Sequence, residues 1–136
     1  MFPLIGTTDL LPELPRKNKR KEASFGLVFR RFMEHNPQMT GAFELKQCEK
    51  SLPFSAVKPH QIAALKAVKH RTLLWKIADD SRGIKPFDYF YLKRESAYIV
   101  IKYAERAYGI DIDDFIKEKG KSLTEERAKV IHSFVI

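Results

Sequence analysis

A chain of 136 residues has the length of one domain around one core. Its 44% hydrophobic and 31% charged residues exclude a disordered chain, and no apolar run is long enough to span a bilayer. A net charge of +8, with a pI of about 9.6, points to polyanionic partners, nucleic acid first and an acidic membrane surface second.

In chain order, residues 1–15 carry Pro3, Pro12 and Pro15 and read as an irregular arm. The stretch lacks the basic start and continuous apolar run of a signal peptide. "RKNKRK" (16–21) then sets Arg16, Lys17, Lys19, Arg20 and Lys21 side by side, so that the chain reads as a single domain, 1–136, with a basic arm over 1–21. From Glu22 a helical period appears, with Phe25, Val28, Phe29, Phe32 and Met33 on one stripe, and Pro37 ends it. "AFELKQC" alternates as a strand, and "EKSLPFSAVKP" reads as a loop. Pro59 opens a helix whose stripe is Ile62, Leu65 and Val68. "TLLWKIA" has the length and polarity of an interior strand. "FDYFYL" and "AYIVIKY" read as strands joined into a hairpin by "KRES". Gly109 closes the next segment, Asp111 caps a short helix stopped by Gly120, and a capping-box pattern from Ser122 to Glu125 starts a helix that ends the chain. The order α, β, α, β, β, β, α, α is that of a mixed α/β domain.

The cations cluster. Lys58, Lys66, Lys69, Arg71 and Lys76 follow one another with no acid between them, and with the 16–21 run they form the candidate phosphate-binding surface. A lone cysteine, Cys48, forms no internal disulfide and fits a reducing cytosol; it has no zinc-ligand spacing and no evident base to make it a nucleophile.

In "FELK" the two-residue period puts Phe43 and Leu45 on one face and Glu44 and Lys46 on the other. A solvent-facing ion pair explains such a pair. A carboxylate and a lysine on one strand face also suit metal-assisted phosphodiester hydrolysis. There the carboxylate takes a hard divalent cation, and the lysine orients the attacking water or balances charge. Further carboxylates are then needed. Asp88 stands at the start of the aromatic strand. Glu22, three residues before Phe25, is either a first-turn helix acid or a metal ligand. His60 fits a helix cap or a general base, Asp79 and Asp80 fit a turn, and Asp111, Asp113 and Asp114 fit helix capping rather than calcium. Trp75 and the tyrosines of "FDYFYL" read as sheet packing rather than as stacking platforms.

"GAFELKQCEKSLPFSAVKPHQIAAL" followed by "KPFDYFYL" resembles the small Holliday junction resolvases of phages and their RecU-like and Hjc-like relatives, within the PD-(D/E)xK nuclease superfamily; the likeness spans roughly residues 20–103. The resemblance implies a restriction-endonuclease-like mixed central sheet flanked by helices, and a Mg2+ site in which Mn2+ substitutes. It also implies a homodimer that cuts four-way or other branched DNA in recombination and repair, in the cytoplasm of the cell or of a phage's host. By the same likeness Glu44 and Lys46 are the E-x-K pair, Gln61 is the helix-start residue beside the site, and Glu22 is the acid of the first helix. The pattern departs in one place. The aspartate that normally precedes the E-x-K strand is missing from "FMEHNPQMTGAF", so Asp88 of the displaced "KPFD" takes the role, with Glu34 as the substitute. A non-catalytic nucleic-acid-binding or recombination accessory protein on the same scaffold is the alternative function.

Overall fold

The structure, a computed structural model, describes residues 19–78 and 83–136, and side chains from Ser24 onward. Arg16, Lys17, Asp79 and Asp80 lie outside the described residues, as do the side chains of Lys19, Arg20, Lys21 and Glu22.

Helix α1 (Lys19–Glu34) is followed by strands β1 (Ala42–Gln47) and β2 (Ser51–Pro53), a 3-10 turn at Phe54–Ala56 and helix α2 (Pro59–His70). Four strands come next: β3 (Thr72–Lys76), β4 (Tyr89–Lys93), β5 (Ala97–Lys102) and β6 (Ala107–Asp111). Helix α3 (Ile112–Lys117), β7 (Ser122–Thr124), α4 (Glu125–Ile131) and β8 (Phe134–Val135) complete the described chain. The main sheet has the order β1-β5-β6-β8, with β1 parallel to β5 and the other pairs antiparallel. It is a mixed α/β fold with a mixed central sheet flanked by helices. Among the described residues no helix is long and apolar enough to cross a membrane.

Strand β5 is the centre of the core. Ile99, Val100 and Ile101 are all fully buried, because helices cover both sheet faces. Ile99 and Ile101 meet Leu65 and Val68 of α2 on one face. Val100 meets Phe25, Phe29, Phe43 and Phe134 on the other, beneath α1. Aromatic pairs fasten α1 there: Phe29 lies 5.1 Å from Phe43, and Phe32 stacks on Phe134 at 5.4 Å. Val28 of the expected stripe is exposed instead.

Gly41 enters β1 at φ +134°, where a Cβ would fall onto the Ser96 carbonyl that accepts from Ala42 N–H. Gly109 lies inside β6 rather than closing a segment, and the Phe134 ring covers the place where a Cβ would stand.

The structure corrects further expectations. Lys19–Lys21 belong to α1, so the helix begins within the basic run. β4 and β5 do not pair with each other; β4 pairs with β3 as a separate two-stranded ribbon, while β5 joins the main sheet. β3 is therefore no interior strand, and Trp75, Tyr89 and Tyr91 of the ribbon are exposed rather than packed in a core. Finally, "SLT" pairs with β2 across the supposed loop, which moves the cap of α4 to Thr124, whose Oγ1 accepts from Arg127 N–H, and the chain ends on β8.

Candidate active site

The parallel register sets Glu44 beside Ile99 and Lys46 beside Ile101, so both charged residues project from the face that α2 covers. They escape full burial because β1 is the edge strand of the described sheet, and their side chains keep 29% and 21% exposure. Helix α2 begins against them. Pro59 supplies the first-turn conformation, and the Gln61 Oε1 accepts from the Lys58 backbone N–H at 2.9 Å, half of a capping box. With its oxygen committed to the helix end, the Gln61 amide turns its NH2 outward, and Nε2 donates to Glu44 Oε2 at 3.0 Å. Lys46 Nζ stands 3.4 Å from the same oxygen. One helix cap thus orients the carboxylate of a neighbouring strand, and both contacts fall on Oε2.

Glu44, Lys46 and Gln61 are thus brought together. Asp88 and Glu34 are placed elsewhere. Asp88 precedes β4 on the separate ribbon; its carboxylate is 71% exposed and pairs with Lys85 at 3.1 Å, while its backbone carbonyl accepts from Ile77 N–H. Glu34 is exposed at the end of α1, and His60 is exposed beside Gln61. Among the described residues no three His, Cys, Asp or Glu side chains form a metal-holding group. The donor set fits Mg2+ in one respect: this ion is commonly held by one or two carboxylates with water and substrate phosphate completing its shell.

Of the expected phosphate-binding cations, Lys58, Lys66, Arg71 and Lys76 are exposed. Lys69 is engaged by Asp111 Oδ1 at 2.6 Å and by Asp113 Oδ2 at 2.8 Å. His70 Nε2 lies 2.8 Å from the same Asp113 oxygen. This cluster has no signature in the local sequence. Asp111 is the cap of α3, as expected, and its side chain accepts from Asp113 N–H; the pairing of both acids with α2 was not expected. Hydrogen bonds from Lys69 and then His70 hold the Asp113 carboxyl below its ordinary 3.8. A lowered folded-state value means stability that is present above the unfolded pKa and lost as pH falls through the folded one. The thermal midpoint is therefore expected to drop on acidification below 3.8, and Asp113→Asn to flatten that limb. Superimposable acid limbs in a pH series of thermal melts would show that the cluster contributes nothing.

Burial first, and Glu125 second, push the Cys48 thiol up, which disfavours the thiolate a nucleophile would need. Comparison with protein-family models, with curated proteins and with solved structures finds no match to this chain.

Proposed function

We propose that this chain is a metal-dependent endonuclease of the restriction-endonuclease-like class that hydrolyses phosphodiester bonds in branched DNA, with the four-way junction as its first substrate. The observation that carries the reading is the meeting of Glu44, Lys46 and Gln61 at the open edge of the sheet. Glu44, with Glu22 as a further candidate, would hold Mg2+ or Mn2+, which supplies charge neutralisation at the phosphate and a more acidic bound water. Gln61 keeps the carboxylate in one orientation. Lys46 carries a proton-bearing cation close enough to align the attacking water and to balance the charge that grows on the phosphate oxygens. Water oxygen bonds to phosphorus and gives up a proton to solvent, the bond to the leaving sugar oxygen breaks, and that oxygen takes up a proton from solvent. Two such sites in a homodimer would address opposing strands, in the cytoplasm of the cell or host.

The second reading, a DNA-binding accessory without catalysis, is favoured by one observation: the described side chains bring a single carboxylate to Lys46. Incubating the protein with junction DNA, with and without Mg2+, decides between them. Strand cleavage only with Mg2+ is expected; tight binding without cleavage over the whole metal range would establish the accessory role.

Binding itself is expected to rest on Arg16, Lys17, Lys19, Arg20 and Lys21 together with Lys58, Lys66 and Arg71. Removing one cation from a phosphate flattens the log–log salt dependence of affinity by about 0.9. Neutralising the five cations of 16–21 should therefore weaken binding to every DNA shape and reduce the slope, with little change in thermal stability. A salt titration that returned equal slopes for both proteins would remove this run from the interface.

A further inference from the structure

The β3–β4 ribbon has two unlike faces. Leu73 packs against the main core, and Phe90 and Leu92 are half-buried, which fixes the inner face. The two-residue period and the register Thr72↔Lys93, Leu74↔Tyr91 and Lys76↔Tyr89 put these six residues together on the other face. That face is open to solvent: Leu74 is 62% exposed and Tyr89 and Tyr91 are each 54% exposed. A contiguous exposed patch of this kind, on an element that is marginal by itself in water, points to a binding role.

Its charge identifies the partner. Lys76 and Lys93 flank the rings, and the face carries no acid. Lys93 Nζ lies 5.8 Å from the Tyr91 ring centre. At the base of the ribbon Arg94, at φ +39°, donates its N–H to the Arg71 carbonyl at 3.2 Å, which holds two more exposed cations beside the patch. A second copy of the chain fits poorly, because lysine is depleted from the centres of protein interfaces and a twofold contact would set like charges against each other. Planar rings interleaved with cations match a strand whose bases are uncovered. Tyr89 and Tyr91 stand about 6.7 Å apart along β4, twice the roughly 3.4 Å rise of a stacked strand, so the pair suits unstacked nucleotides and not a duplex, whose base faces are hidden.

We propose that this face binds unpaired nucleotides, with bases on Tyr89, Tyr91 and Leu74 and phosphates on Lys76 and Lys93. The face belongs to a different sheet from Glu44, and binding there does not depend on cleavage. The test is the binding of the intact protein to fluorescent oligothymidylate, to an abasic chain of equal length, and to a duplex of equal length, without metal. The wild type is expected to prefer oligothymidylate to both. Tyr89→Ala and Tyr91→Ala should each weaken oligothymidylate binding about five-fold or more while leaving the abasic chain unchanged, and Tyr→Phe at either position should restore it. Thermal melts of the alanine variants should match the wild type, since the rings are exposed. Equal affinity of the wild type for oligothymidylate and the abasic chain would overturn the proposal, as would an equal loss on both in the variants, because cations alone would then account for binding. A shift in sedimentation of the alanine variants with unchanged oligothymidylate affinity would overturn it in favour of a contact between copies.

Discussion

Glu44→Gln is expected to abolish cleavage of junction DNA, by about a hundred-fold or more, while affinity for the junction holds or rises. The substitution keeps shape and removes charge. Gln61 Nε2 and Lys46 Nζ both present donors to Oε2, so the new amide must turn its oxygen toward them. Its NH2 then occupies the position of the other carboxylate oxygen, where a donor repels a cation. Binding has no reason to suffer, because a negative charge beside the phosphate has gone. Single-turnover cleavage and equilibrium binding on the same preparation check both halves. Undiminished cleavage would dismiss Glu44 as a ligand, and a strong loss of binding by a folded variant would place it in the DNA interface instead.

The largest effect on stability is expected at the residue beside it. Ile99 is fully buried, lies on the strand paired with both β1 and β6, and faces the core beneath α2. Ile99→Ala removes buried methyl and methylene groups and leaves a cavity that a doubly paired strand cannot close, a change that costs about 2–5 kcal/mol. For a domain of this size that is a fall in thermal midpoint of roughly 7–17 °C. Leu74→Ala, of nearly the same volume change on the exposed ribbon face, should cost under about 0.5 kcal/mol. Denaturant or thermal unfolding of the two variants gives the comparison, and equal losses would mean that the two environments are not as different as their burial implies.

What was legible in the sequence was what neighbouring residues decide. The strand at Ala42–Gln47, the proline-led helix at Pro59–His70 and the Asp111 cap all follow from periodicity or from a side chain meeting its own backbone. The pairing of strands was not legible. "KRES" has the composition of a hairpin turn, yet Arg94 and Glu95 donate their N–H groups back to Arg71 and Val68, so the chain leaves one ribbon and enters another sheet. The apolar run "TLLWK" looks like an interior strand until its partner is known; paired among the described residues with β4 alone, it has an outside. At the candidate site, the Glu44–Lys46 face came from the two-residue period, and Gln61 came from the family likeness. The partners of Lys69 stand 42 and 44 positions away, at the cap and in the first turn of α3, and no local pattern announces a contact at that separation.

The stacking of Phe32 on Phe134 ties the first described helix to the last strand. This has a consequence for the time order in which the fold can assemble. Ser133 and Ile136 donate N–H groups to Gly109 and Ala107, so the sheet edge and the socket for α1 are completed by the same few residues. A chain emerging in sequence makes α1 first, and Phe32 lacks its stacking partner until residue 134 has been made. Closing so long a loop carries an entropic cost that only the finished sheet offsets. The docking of α1 can therefore be completed only once β8 is in place.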